Sequence, residues 1–140
     1  MKIKYLYHGS NSFIKGFLNP NKAGDKNSKE NCLFAVYATD REDVAKAMAL
    51  TSTKNTRSFA DYEEKDFKVA FLKGEPKKGN YYVYKISSKG FKEKPKNSHQ
   101  WVSKNNVKII KTDKYNLKDL KDYWRKATPE EKLKYPEYSK

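Results

Sequence analysis

At 140 residues with a single cysteine, this chain is the size of one domain, and it has no means of forming an internal disulfide or a cysteine-based metal cluster. No apolar run approaches the roughly 18 residues of a membrane span, and the start MKIKYLYHGS has no signal-peptide core, so the expected setting is the cytoplasm, without a membrane partner. The formal net charge of +14 invites a polyanion, yet only Arg41, Arg57 and Arg125 are arginines. The many lysines read as a solvated surface rather than as planar phosphate readers.

Taken in order, Lys2 to His8 alternates as a strand that Gly9 ends. Asn11 to Asn31 is polar and reads as a connection pinned by Ile14, Phe17 and Leu18, with a loop over 22 to 31. Leu33 to Ala38 is a continuous apolar run, the pattern of a strand buried on both faces; Cys32, expected to be inert, abuts its start, and the segment T-x-x-E follows its end. In that box Thr39 is expected to cap a helix, with Glu42 reaching back to its amide and Asp40 at the positive end of the dipole. Val44, Ala45 and Met48 then form a narrow stripe of mostly small side chains that lets the helix lie close to a sheet.

Thr51 to Lys65 reads as a loop or short helix. Phe67 to Leu72 and Tyr81 to Ser87 read as two strands of a hairpin about the Gly- and Pro-containing turn Lys73 to Asn80. Ser88 to Ser98 is a Lys-rich loop with Phe91 as its anchor. His99 to Ser103 and Val107 to Lys111 are two short strands or one bent strand. Asn116 is expected to cap a second helix carrying Leu117, Leu120 and Trp124, and Thr128-Pro129-Glu130-Glu131 to open a last short one before a frayed tail.

Three segments carry chemistry. They are Leu6-Tyr7-His8-Gly9-Ser10, followed by Ile14, Leu18 and Pro20; Val36-Tyr37-Ala38-Thr39, followed by Val44-Ala45; and Gln100-Trp101-Val102-Ser103, followed by Val107. In order and spacing they resemble the three motifs of the ADP-ribosyltransferase superfamily of the diphtheria-toxin and poly(ADP-ribose) polymerase type, over nearly the whole chain. The resemblance implies an α+β fold of split antiparallel β-sheets with flanking helices, in one domain, and NAD as substrate. It implies that His8 bonds a ribose hydroxyl, that the Gly9 backbone holds the nicotinamide carboxamide and that Tyr37 stacks on the nicotinamide ring. Ser10 and Thr39 complete the cofactor-binding set, and His8, Tyr37 and Gln100 are the catalytic candidates.

A glycine permits close backbone approach, an imidazole offers a directed donor or acceptor, and a tyrosine face stacks. The third motif normally opens with a glutamate. Gln100 can hydrogen-bond but carries no charge to stabilise an oxocarbenium-like sugar, which leaves ADP-ribose transfer, slow NAD cleavage and binding without catalysis all open. The acceptor, protein or nucleic acid, is unidentified. Lys92, Lys94 and Lys96 precede the third motif, where the resembled fold selects its acceptor, and Phe91 is a candidate to stack on an unpaired base. Two histidines and one cysteine at unrelated spacings make no standard zinc set, so no metal is expected.

Overall fold

Strands form where β-branched and aromatic residues recur at alternate positions, as in Ile3-Tyr5-Tyr7, Val69-Phe71 and Tyr82-Tyr84-Ile86. The computed structural model describes residues 3–22, 34–51, 56–61 and 67–136. In chain order these form β1 (Tyr5–Ser10), β2 (Phe17–Leu18), β3 (Asn21–Lys22), β4 (Phe34–Thr39), α1 (Glu42–Thr51), β5 (Arg57–Asp61), β6 (Lys68–Lys73) and β7 (Asn80–Ser87). There follow β8 (Lys92–Glu93), β9 (Gln100–Ser103), β10 (Val107–Asn116), a 3-10 helix (Lys118–Tyr123), β11 (Trp124–Lys126) and α2 (Pro129–Lys134). The architecture is α+β and mostly antiparallel. The expected loop over 22 to 31 beyond Lys22, Cys32 and Tyr62 lie outside the described residues.

The larger sheet runs β2-β10-β7-β1-β4-β9-β8, with β3 also paired to β4, and all its pairings are antiparallel. The smaller sheet is β11-β6-β5, in which β11 runs parallel to β6. Besides a smaller cluster of Ala70, Leu72 and Ala127 on the smaller sheet, two aliphatic and aromatic clusters flank the larger sheet, one on each face. On one face Val44, Ala47 and Leu50 of α1 meet Phe67, Val69 and Phe71 of the smaller-sheet segment, Tyr81 of β7 and Leu120 of the 3-10 helix. On the other, Leu6, Val36, Ala38, Tyr84 and Ile86 are covered by Leu18 and Phe91. Fully burying one such aliphatic or aromatic side chain stabilises by about 1.5–3 kcal/mol, so both faces contribute.

α1 sits close to β1 because its inner surface is alanine-rich and because residue 9 has no side chain. A Cβ built on Gly9 would lie 2.0 Å from the Ala45 carbonyl oxygen and 2.8 Å from the Ala49 nitrogen. The connection after β1 has almost no regular structure, yet it is pinned from below. The buried Tyr84 hydroxyl donates to the Ser12 carbonyl at 2.7 Å and accepts from the Ile14 amide at 2.7 Å.

Several expectations are corrected. β6 and β7 do not form a hairpin: β6 pairs with β5 and β11, and β7 pairs with β1 and β10 in the other sheet. Both sides of β6 are apolar, with Val69, Ala70, Phe71 and Leu72 all buried, which suits a strand enclosed by α1 on one side and Ala127 and Phe59 on the other. Arg57–Asp61 is a strand rather than a loop or helix, since it supplies the antiparallel partner of β6. Thr39 ends β4 instead of capping α1. Its hydroxyl accepts from the Arg41 amide at 3.1 Å, one residue too early for a capping box, and the Asp43 carboxylate takes the Val44 amide at 2.9 Å.

The second expected helix is a 3-10 turn, because Trp124 leaves it to pair in β11. Its N-cap is Leu117, without a side-chain cap, rather than Asn116; one residue earlier Asn116 and Asp119 still exchange backbone-to-side-chain hydrogen bonds at 2.9 and 3.0 Å. Thr128 and Glu131 likewise form a full capping box at α2, behind Pro129. His99 to Lys111 resolves into two strands, and β10 continues five residues past the expected end, to Asn116.

Candidate functional site

The three motif-bearing strands are neighbours: β4 pairs with β1 through Tyr7 and Thr39, and with β9 through Thr39 and Gln100 and through Tyr37 and Val102. Side chains alternate between the two faces of a strand, so this register sorts the candidates. Tyr7, Thr39 and Gln100 share one row, and Gly9 and Tyr37 lie on the same face one step along, the face that α1 covers. His8 and Ser10 point to the opposite face, where Tyr84 and Tyr82 are their cross-strand partners on β7. The structure thus brings Gly9, Tyr37, Thr39 and Gln100 to one face and sets His8 and Ser10 on the other.

A hydrogen bond joins the two groups. His8 Nδ1 lies 2.5 Å from the Tyr37 carbonyl oxygen. A carbonyl can only accept, so Nδ1 carries the hydrogen and Nε2 presents a lone pair. Burial pushes the His8 imidazole below its ordinary value, against the pull of its hydrogen bond to the Tyr37 carbonyl, so the ring is neutral near pH 7. Its ring centroid is 6.3 Å from that of Tyr84, at an interplanar angle of 30°.

Gln100 opens β9, as the third-motif reading expects. Its side-chain amide donates to the Lys94 carbonyl at 3.0 Å, and its backbone carbonyl accepts from the Lys94 amide. It therefore ties down the Lys-rich loop before it. Gly9 has its Cα face filled by α1, which gives it a packing role as well as the ligand role that the resemblance implies. Phe91 is corrected as a stacking candidate: it is 8% exposed and sits in the core among Val36, Ala38 and Ile86, out of reach of a base.

Sequence reasoning passed over one cluster. Asp40 receives the indole N–H of Trp101 at 3.1 Å and pairs with His99 Nδ1 at 2.8 Å, while Glu93 accepts from the His99 amide at 3.1 Å. The ligand atoms of Asp40, Glu93 and His99 all lie within 4.8 Å of one another, a grouping able to hold a cation. Nothing in their spacing announces it, since 53 positions of chain separate Asp40 from Glu93 and the strand pairing of β4 with β9 is what joins them. The group fastens the start of β9 to the end of β4, with both Asp40 oxygens engaged. A hollow among the described residues lies elsewhere, lined by Phe71, Leu72, Gly74, Glu75, Lys126 and Lys132, and contains none of the candidates.

No protein-family profile, curated protein or solved structure matches this chain. Among the described residues no helix is long and apolar enough to cross a membrane.

Proposed function

We propose that this is an ADP-ribosyltransferase-like domain that binds NAD and uses it to modify an as yet unidentified acceptor. The observation that supports this most is the His8 hydrogen bond to the Tyr37 carbonyl, because it joins the first and second motifs and fixes the imidazole tautomer. The free Nε2 lone pair is the acceptor that a ribose hydroxyl requires. On this reading Tyr37 and Thr39 belong to the nicotinamide end of the ligand, and Gly9 and Ser10 border it. Gln100 holds the start of β9 in place without supplying the charge that a glutamate would bring to the developing oxocarbenium. Turnover is then slow, and transfer has to draw its stabilisation from groups other than Gln100.

A second reading, binding of a nucleotide or nucleic acid without catalysis, draws on a separate observation. Gly9 is occupied by α1, and Tyr37 and Gln100 lie across the sheet from His8, so a ligand engaging all three side chains at once requires movement of α1 or of the strand ends. Titration calorimetry with NAD, on wild type, His8→Ala and Tyr37→Ala, tests the proposal together with chromatography for released nicotinamide. Binding that both substitutions weaken, with slow nicotinamide release, is the expected result. Binding without release favours the second reading. Absence of NAD binding to the wild type, or binding that neither substitution alters, would sink the site.

A further inference from the structure

On the face toward which His8 points, the open end of the sheet is aromatic and basic. Cross-strand register sets Ser10, Tyr82 and Lys114 in one row and His8, Tyr84 and Thr112 in the next. Tyr82 is stacked with Tyr84, centroids 6.3 Å apart at 17°, and the Phe13 ring packs edge-on to Tyr82 at 5.6 Å. Phe13 is 64% exposed although it is a large apolar ring. It cannot fold inward, because the Tyr84 hydroxyl holds the backbone on either side of it, at Ser12 and at Ile14. An aromatic ring held outward beside a half-buried tyrosine and a lysine is a surface on which a flat, unpaired base can stack while its phosphate meets the ammonium.

We propose that this end of the sheet binds single-stranded nucleic acid, with Phe13 and Tyr82 as the stacking surfaces and Lys114 as the adjoining phosphate contact. Charge selects this occupant: a chain of net charge +14 repels a second copy of itself and attracts a polyanion. Stacking on Phe13 needs a base free of its partner strand, which sets a single strand apart from a duplex. The surface differs from the lysine loop before Gln100, whose one aromatic, Phe91, is buried. The inference goes beyond the NAD reading and does not depend on it.

The test is fluorescence anisotropy with a labelled single strand of about a dozen nucleotides and its duplex counterpart, without NAD, across a salt series, so that its failure leaves the NAD reading untouched. The wild type is expected to prefer the single strand. Phe13→Ala should weaken that binding about tenfold with the salt slope unchanged, and Phe13→Trp should retain it. Lys114→Glu should lower the salt slope by about one unit, and Lys134→Glu, on α2, should leave the slope near wild type. Because Phe13 is mostly exposed, matching thermal melts check that these variants are folded. The proposal is overturned by equal affinity for single strand and duplex, by a Phe13→Ala variant that binds like wild type, or by equal losses from Lys114→Glu and Lys134→Glu. Displacement of the strand by polyglutamate at equal charge concentration also overturns it.

Discussion

Replacing Gly9 by alanine adds only one methyl group, yet it is expected to cost about as much as deleting a large core side chain. The new Cβ would stand 2.0 Å from the Ala45 carbonyl oxygen and 2.8 Å from the Ala49 nitrogen, both backbone atoms that no rotamer change can move. Restoring ordinary contact requires α1 to retreat by more than about 1 Å, and the same helix carries Val44, Ala47 and Leu50 into the cluster with Phe67, Val69 and Phe71. Overpacking of this kind costs about 1–3 kcal/mol when side chains can yield, and here a whole helix must yield, so a loss of about 3 kcal/mol or more is expected. Alanine in a strand would otherwise regain roughly 0.5–1 kcal/mol over glycine, which does not change the sign. For a chain of this size the loss corresponds to a fall of about 10 °C in Tm. Urea unfolding with an unchanged m-value, read beside a thermal melt, measures it. A variant within 1 kcal/mol of wild type refutes the helix-on-glycine packing. If that variant also failed to bind NAD, Gly9 would serve the ligand rather than the fold.

Three further outcomes are expected. The His8 imidazole is held below its ordinary value in the fold, so the unfolded chain binds more protons as pH falls; stability should decline below about pH 6.5 and stop declining once pH passes the folded value. His8→Asn should flatten that part of the pH profile, and equal acid slopes in the two proteins would rule the effect out. Glu131 is held down to about 2 by its hydrogen bonds with Arg125 and then Thr128, so its contribution is complete above about pH 4.5 and is lost as pH falls through about 2. Because the pair is partly solvated, Glu131→Gln should cost only about 1 kcal/mol at pH 7, with the gap to wild type closing in acid. Finally, Gln100→Glu should raise the rate of NAD cleavage by placing a carboxylate at the start of β9, even though it forfeits the hydrogen bond to the Lys94 carbonyl. A variant that binds NAD yet cleaves it no faster would show that residue 100 is not where the positive charge develops.

What could be read from the chain was local. The alternation in Tyr81 to Ser87, the apolar run ending at Ala38, and the Asn116–Asp119 and Thr128–Glu131 pairs each report on a few neighbouring residues, and each appears as a strand or a reciprocally bonded pair. Partnership was not legible. The turn at Lys73 to Asn80 looks like a hairpin turn, but the buried sides of β6 are satisfied by α1 and Ala127, and those contacts draw it into a different sheet from β7. The Thr39 box failed because β4 needs Thr39 for its pairings with Tyr7 and Gln100, which delays the helix by a residue or two. For the site, motif order placed three strands side by side, but which face each residue takes depends on register, and that separates His8 from Tyr37 and Gln100.

The Tyr84 hydroxyl has a consequence for motion. Residues 11–16 have no ladder of their own, and a segment of that kind ordinarily opens on its own, many times for each unfolding of the domain. Here the Ile14 amide is bonded to an oxygen on a side chain with 0% exposure, at the centre of the larger sheet. Opening the loop takes both the Ile14 amide and the Ser12 carbonyl from a buried phenol unless the strand beneath also loosens, so the loop opens in step with β7 rather than ahead of it. In native-state hydrogen exchange the Ile14 amide should be as slow as the amides of β7, and Tyr84→Phe should turn it into a fast exchanger while leaving its neighbours in β7 slow.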